Sequence, residues 1–348
     1  KGDDNNKIIP LISRAVEKAR MNIRLDKLEK KVGLMYSFDT ILGESKALKE
    51  AVSLARKVSV TDVPVLLTGE TGTGKEVFAQ SIHYNSKRSQ QNFVAVNCSS
   101  FSKELLESEM FGHKAGSFTG ALKDKKGLFE EANNGTIFLD EIGEMAFELQ
   151  AKLLRILETG EYIKIGDTKP TRINVRIIAA TNRDLPAEIA AGRFREDLFY
   201  RLSVFQVHLP PLRERTGDIK ILAESFVRSF SEKLSHPVGT ITPAYLEALC
   251  QQPWKGNIRE LRNAIERSLI VCEGDCLDVD DLPLEIQNSH YEKSDEGMPG
   301  SFELSAMERR HIARVLEHTK GNKTEAARLL KIGLTTLYRK IEEYKLGS

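Results

Sequence analysis

No apolar run in this sequence is long enough to cross a bilayer, and no stretch has the pattern of a secretory signal. A helical anchor within these residues is thereby excluded. Cysteine is scarce: Cys98, Cys250, Cys272 and Cys276 have no paired metal spacing and no companion histidines. That excludes a zinc ribbon and a disulfide scaffold, and it fits a reducing, cytoplasmic compartment. Cys272 and Cys276 are spaced to share one helix face. An excess of either charge is also missing, with 51 Lys+Arg against 50 Asp+Glu. The chain as a whole is therefore not a general polyanion binder. It starts at Lys1 without a methionine, so the expectation is a piece of a longer protein. Its 348 residues suggest two or three domains.

What is present is concentrated at residues 69–76, Gly69-Glu70-Thr71-Gly72-Thr73-Gly74-Lys75-Glu76, directly after the apolar run Val65-Leu66-Leu67. A buried strand, a glycine-rich turn and a helix in succession form a cradle for a triphosphate. The glycines let backbone N–H groups curl round the phosphates, Lys75 adds a point charge, and the helix offers its positive end. Glu76 stands where such loops commonly carry the Ser or Thr hydroxyl that ligates Mg²⁺. The metal must then lean on water and a distant carboxylate.

Further strand candidates are Phe93–Val96, Thr136–Asp140, Val175–Thr181 and Phe205–Leu209, with helical patterns between most of them. Continuous apolar strands separated by helices predict an α/β fold with a parallel sheet covered on both faces. Beyond Pro210-Pro211 the strands are expected to stop, and helices take over around 217–234, 243–252 and 257–271. Residues 287–302 read as a flexible linker, and 303–348 as a small all-α unit. At the other end, Ile9, Ile12, Val16, Ala19 and Ile23 form an a/d stripe, resumed by Leu25, Leu28, Val32 and Met35. Residues 1–34 are thus expected to form a coupling or dimerisation helix.

Parallel strands present their C-terminal ends to the ligand crevice. Asp140, at the end of Thr136–Asp140, would hold the Mg²⁺ shell, and Glu141 would polarise an attacking water. Thr181 and Asn182 end another strand and are placed to sense the γ-phosphate. Asn97 lies at the crevice edge, within reach of restraining Glu141. Arg195 and Arg201 suit stabilisation of a transferring phosphoryl group, supplied in a ring by a neighbour; an Arg–Asp surface pair is the plainer reading of that segment.

Together with Trp254-Lys255-Gly256-Asn257-Ile258-Arg259-Glu260-Leu261, these residues resemble the bacterial enhancer-binding activators of sigma-54 RNA polymerase, which are AAA+ ATPases. Gly116-Ser117-Phe118-Thr119-Gly120-Ala121 looks like that family's Gly-Ala-Phe-Thr-Gly-Ala loop, which contacts sigma-54, with Ser117 in place of Ala. Leu209-Pro210-Pro211-Leu212-Arg213-Glu214-Arg215 is a further family phrase. The resemblance covers about residues 35–286 and implies an α/β ATPase subdomain over 35–208 and a helical lid over 209–286. It implies that Gly69 to Glu76 and Asp140 serve ATP and Mg²⁺, and that Glu141 activates water. Asn97 matches the residue that switches the glutamate, Thr181-Asn182 the first sensor and Arg259 the second. Arg195 and Arg201 match arginines acting in trans. Glu76 is ordinary in this family. Proline often stands where Lys255 is found and would stiffen the turn, so a looser entry to the lid is expected.

Asn322-Lys323-Thr324-Glu325 has the form of a capping box. A short helix, a turn at Ile332-Gly333 and a second helix follow, a helix-turn-helix pattern resembling the Fis-type domain that ends many sigma-54 activators. Over 303–348, ten Lys/Arg less six Asp/Glu give +4, which suits phosphate contact. Thr335, Thr336, Arg339 and Lys340 are the DNA-contact candidates. Lys1 to Ala19 faintly resembles the end of a receiver domain. The resemblance therefore implies a cytoplasmic two-component response regulator without its receiver here. Its partners would be a cognate sensor kinase, sigma-54 RNA polymerase holoenzyme, enhancer DNA and its own copies (an inactive dimer, an active hexamer or heptamer), with no membrane. The rival readings are another AAA+ remodelling machine, an unfoldase or loader, and a nucleotide-sensing repressor.

Overall fold

The computed structural model describes residues 36–118, 121–234, 240–287, 304–319, 321–344 and 346. The expected helix over 1–34, most of the linker, and Thr119 and Gly120 lie outside the described residues. Two compact units divide between Ile286 and Gln287.

The first unit is built on β1 (Val65–Thr68), β2 (Phe93–Asn97), β3 (Thr136–Asp140), β4 (Glu161–Ile163), β5 (Pro170–Arg172), β6 (Arg176–Thr181) and β7 (Phe205–His208). Five of these form one sheet in the order β2-β3-β6-β1-β7, and every pairing in it is parallel. The reason is visible in the side chains. Every residue of β6 is buried, as are the first three of β1 and the first four of β3, so both faces need cover. Alternation splits them between two cores. Leu66, Ile137, Leu139, Ile177 and Ala179 face one, and Val65, Leu67, Phe138, Ile178 and Val207 the other.

Helix Lys75–Tyr84 covers the second core with Phe78, Ala79 and Ile82. His83, on the same helix, is buried and shares a 2.9 Å hydrogen bond with Thr136 Oγ1 of β3. Burial holds its pKa down at about 4. Arg176, at the start of β6, is also buried, and its guanidinium donates to the Val58 and Ser59 carbonyls, each at 2.9 Å. It thereby satisfies the carbonyl end of helix Lys46–Ser59.

β4 and β5 form a separate antiparallel hairpin, absent from the sequence-based expectation because three-residue, half-polar strands leave little periodic signal. Strands do not stop at Pro211 either. β8 (Thr240–Ile241) and β9 (Cys276–Leu277) pair in parallel within the lid. Helices Gly217–Leu234, Pro243–Cys250 and Asn257–Val271 form the rest of it. Cys272 and Cys276 share no helix face: Cys272 caps the last helix and Cys276 lies in β9. All four cysteines are free.

The second unit holds helices Leu304–His318, Lys323–Leu329 and Leu334–Glu343 around a small core of Ile312, Ala326, Ala327, Leu337 and Ile341. Asn322 caps Lys323–Leu329 by accepting from Glu325 N at 3.3 Å, while the Glu325 carboxylate faces Arg328 rather than closing a capping box. Lys331, with φ of 54°, makes the left-handed turn.

Candidate functional site

Because the sheet is parallel, the ends of β1, β2, β3, β6 and β7 share one edge, and the register makes neighbours of the expected site residues. Asn97 lies beside Asp140, and Thr68 lies between Thr181 and His208. The phosphate loop leaves β1 at Gly69 and turns at Gly72 and Gly74, all with positive φ. Two of these positions admit no side chain. A Cβ at Gly69 would stand 2.7 Å from the Leu209 carbonyl oxygen, and one at Gly72 2.2 Å from that of Gly256. Thr73 braces the turn through its hydroxyl, 2.8 Å from Glu70 O. Glu76 is exposed on the first turn of helix Lys75–Tyr84.

Lys75 is buried and curls back to donate to Gly69 O at 2.8 Å and Glu70 O at 3.2 Å. Burial lowers its pKa, against the pull of Glu141 and Asp140. The lysine and both carboxylates therefore sense one another across the crevice. Asp140 accepts from Glu141 N at 3.0 Å. Glu141 has left-handed backbone, φ 51° and ψ 48°, and its Oε2 is buried without a hydrogen-bond partner. A strained acidic residue with an orphaned oxygen is a costly arrangement outside a functional site.

The first-sensor pair divides its work. Thr181 is buried and accepts from Arg183 N at 3.0 Å, and Asn182 donates to Thr71 Oγ1 at 3.0 Å. Asn97, expected within reach of Glu141, accepts from Ser99 N at 2.8 Å and Ser99 Oγ at 2.7 Å. Its carboxamide oxygen is thus occupied by the turn that leads to helix Lys103–Phe111. Arg195 is held by Asp197 through two bonds of 3.0 and 2.7 Å and lies over the Phe147 ring. Arg201 faces Glu158 at 3.6 Å. Within one chain both arginines pair with carboxylates at the surface, as in the plainer reading.

The lid is bound closely to the phosphate loop. Trp254 is fully buried and donates to Leu249 O at 2.8 Å, and Glu260 accepts from Gly256 N at 2.7 Å. These two bonds brace the turn that carries Lys255. Asn257, buried with φ of 54°, reaches Glu70 and Thr71, and Ile258 N donates to Gly72 O at 3.0 Å. Arg259 is exposed beside Gly72 and its field reaches Lys75. Arg213 forks onto Glu70 at 2.6 and 2.8 Å. Arg213 first and Asn257 next hold the Glu70 carboxyl down at about 2. These roles of Glu70, Arg213 and Asn257 were missed. Each stands in a phrase of the sequence, Glu70 in the phosphate loop, Arg213 after Pro210-Pro211 and Asn257 after Trp254, but no phrase names a partner.

After helix Lys103–Phe111, residues 112–118 and 121–126 belong to a second loop segment. His113 pairs with Lys125 and also bridges toward Ile165 between β4 and β5. Gly116 N donates to Ala121 O at 2.8 Å, closing the turn. Phe118 is 46% exposed, its ring edge-on to His113 at 5.0 Å. Ser117 packs on Gly166, where an added Cβ would stand 2.5 Å from its own. Ala121 is buried and Leu122 is 90% exposed.

In the second unit, Thr335 and Arg339 are exposed on helix Leu334–Glu343 and Thr336 is half-buried. Lys340 is bonded to Glu308 of helix Leu304–His318 and stands over the Tyr344 ring. Its charge is matched inside the unit, so it is less free for DNA phosphate than its sequence position suggests.

Comparison with known proteins agrees along the chain. Residues 41–208 match the Sigma-54 interaction domain, 213–298 the AAA+ ATPase lid domain, and 303–344 the bacterial regulatory protein, Fis family. The chain is 42% identical to the regulatory protein AtoC of Escherichia coli, over 96% of its length and 74% of AtoC. It is 42% identical to the alginate biosynthesis regulator AlgB of Pseudomonas aeruginosa, over 96% and 73%. The crystal structure of NtrX from Brucella abortus in complex with ADP superposes with a TM-score of 0.71 at 30% identity, covering 98% of this chain and 75% of NtrX. A second NtrX structure contains ATP, with a TM-score of 0.69 at 31% identity over 99% and 76%. No helix among the described residues is long and apolar enough to cross a membrane. The chain belongs to the sigma-54-dependent transcriptional activators, as an ATP-binding AAA+ ATPase with a Fis-type DNA-binding helix-turn-helix.

Proposed function

We propose that this chain hydrolyses ATP in a homo-oligomeric ring, a hexamer or heptamer formed from an inactive dimer, to remodel sigma-54 RNA polymerase holoenzyme into the open complex. The helix-turn-helix unit holds enhancer DNA upstream, through Thr335, Thr336 and Arg339. On this reading the protein works in the bacterial cytoplasm as a response regulator, under a receiver domain and sensor kinase not contained in these residues.

The phosphate loop, Gly69 to Glu76, wraps the triphosphate, and Lys75 trades its two carbonyl partners for phosphate oxygens. Asp140 fits a Mg²⁺ ion that keeps most of its ligands as water and phosphate, the usual habit of that cation, since Glu76 offers no hydroxyl. When bound, the ion would neutralise charge on the phosphates. Glu141, with its orphaned Oε2, takes the proton of the attacking water. Thr181 and Asn182 contact the γ-phosphate side, and Arg259 closes over the phosphates from the lid. Arg195 and Arg201 exchange Asp197 and Glu158 for the phosphates of the adjacent subunit. Release of the γ-phosphate changes what Glu141 holds. Asn97 and the Ser99 turn, adjoining Asp140 in the sheet, lead through helix Lys103–Phe111 to the Phe118 loop.

The observation that carries this reading is the pairing, in one compact unit, of a phosphate crevice with a half-exposed Phe118 whose ring meets His113. The test is association with sigma-54 in the presence of an ATP transition-state mimic, by native gel. Wild type should form a complex, and Phe118→Ala should not while still turning over ATP. No complex with either protein, with turnover intact, would discard the sigma-54 role in favour of an unfoldase or loader.

A further inference from the structure

Four consecutive residues of the phosphate loop are tied to the lid or to the segment leading into it. Glu70 accepts both arms of the Arg213 fork and also Asn257 Nδ2, at 3.1 Å. Thr71 O accepts from Asn257 Nδ2 at 3.0 Å, and Gly72 O from Ile258 N at 3.0 Å. Thr73 O accepts from buried Arg215 at 3.4 Å. Asn257 also turns its Oδ1 the other way, to accept from Leu212 N at 2.7 Å. One carboxamide therefore joins three segments: phosphate loop, connecting segment and lid.

Asn257 is the first residue of helix Asn257–Val271, and Arg259 lies two residues further on. A helix is stiff over so short a distance, so whatever fixes Asn257 and Ile258 also fixes the base from which Arg259 reaches. Backbone cradling of phosphate by residues 69–75 does not require a carboxylate at position 70, and a negative side chain there opposes a triphosphate unless a cation matches it. The Arg213 fork supplies that match with a planar, two-bond geometry that lysine cannot reproduce.

We propose that Glu70, Arg213 and Asn257 form a latch between the phosphate loop and the lid, and act as positioning residues that hold Arg259 over the nucleotide phosphates. The latch rests on the proposed role of Arg259 in nucleotide binding. It converts the lid from a cover that drifts over the site into one whose cation has a fixed address, and it makes lid position depend on the shape of residues 70–73.

The test uses the whole chain and ADP, so neither turnover nor sigma-54 is needed. ADP affinity is measured by displacement of a fluorescent ADP analogue for wild type, Glu70→Gln, Arg259→Ala and the double variant. The Arg213 and Glu70 side chains are 46% and 41% exposed, where even a two-bond ion pair contributes no more than about 1 kcal/mol, so Glu70→Gln should weaken ADP by up to about fivefold. The double variant should be no weaker than Arg259→Ala alone, because the latch acts through that arginine. Arg213→Lys, which keeps the charge and loses the fork, should show the same dependence on Arg259 with a smaller loss. It serves as the second variant if Glu70→Gln lowers the melting temperature. Unchanged ADP affinity in Glu70→Gln, or losses that multiply fully in the double variant, would overturn the latch. Failure of wild type itself to bind ADP would instead overturn the nucleotide reading beneath it.

Discussion

The phosphate loop and the Phe118 loop are both glycine-bearing turns of one compact unit, and they are built in opposite ways. Gly72 has φ of 79° and no room: a side chain there would meet the Gly256 carbonyl oxygen. Gly116 has φ of 80° and nothing within 4 Å of where a Cβ would lie. One glycine serves close approach of two backbones, and the other serves only a turn. The contacts around them follow suit. The phosphate loop is bonded to three segments through charged and amide groups, whereas Phe118 is half-exposed with its ring against His113, and Leu122 is 90% exposed. A site that must grip the same ligand every time benefits from the first construction. A site that must change what it touches benefits from the second.

The contrast is broken most sharply by adding one methyl to each loop. Gly72→Ala must displace the lid's backbone and also bears left-handed strain of about 1–2 kcal/mol. It should abolish measurable ATP turnover, as followed by phosphate release. Gly116→Ala bears the strain alone and should leave turnover near wild type. Equal loss in both would show that φ, not the approach of Gly256, governs the phosphate loop. Next in size, Glu141→Gln keeps the left-handed carboxamide-sized side chain but removes the base. Turnover should fall about 10²–10⁴-fold while ATP stays bound, measured by single-turnover assay beside equilibrium binding. Normal turnover would remove Glu141 from the chemistry.

The smallest effect concerns acid. The phosphate-loop helix carries neutral, buried His83, whose folded pKa of about 4 lies below the ordinary 6.5. The unfolded chain binds this proton first. The histidine's contribution is therefore complete above pH 6.5 and is lost as pH falls toward 4, on the order of 3 kcal/mol at most. Denaturant titrations between those values should show it, and His83→Gln should flatten that part of the profile. An unchanged slope would mean that His83 already takes its proton in the folded state.

Much of this architecture was legible. The three central strands, β1, β3 and β6, are short, nearly continuous apolar runs, as burial on both faces requires; the phosphate loop and the acidic end of β3 are local phrases. The β4–β5 hairpin was not legible, since its strands are short and half-exposed. The Glu70–Asn257 bond was hidden for a different reason. It joins residues 187 positions apart, and neither residue type announces a partner. Trp254 stands out in the sequence only as part of a phrase, yet it is fully buried and bonded to Leu249 O. Asn97 stands at the expected edge, and its oxygen is taken up by Ser99 two residues on, a local turn pairing that spacing alone does not foretell.

The meeting of Gly72 with the Gly256 carbonyl has a consequence in time. Side chains swing between rotamers in picoseconds to nanoseconds, but no side chain stands at this point of contact to swing. Separating the two backbones requires the helix that begins at Asn257 to move as a body, and motions of that kind take on the order of microseconds to milliseconds. Nucleotide exchange at this site would then be paced by a clock set in the lid, slower than diffusion of the nucleotide itself and indifferent to the flickering of the side chains around it.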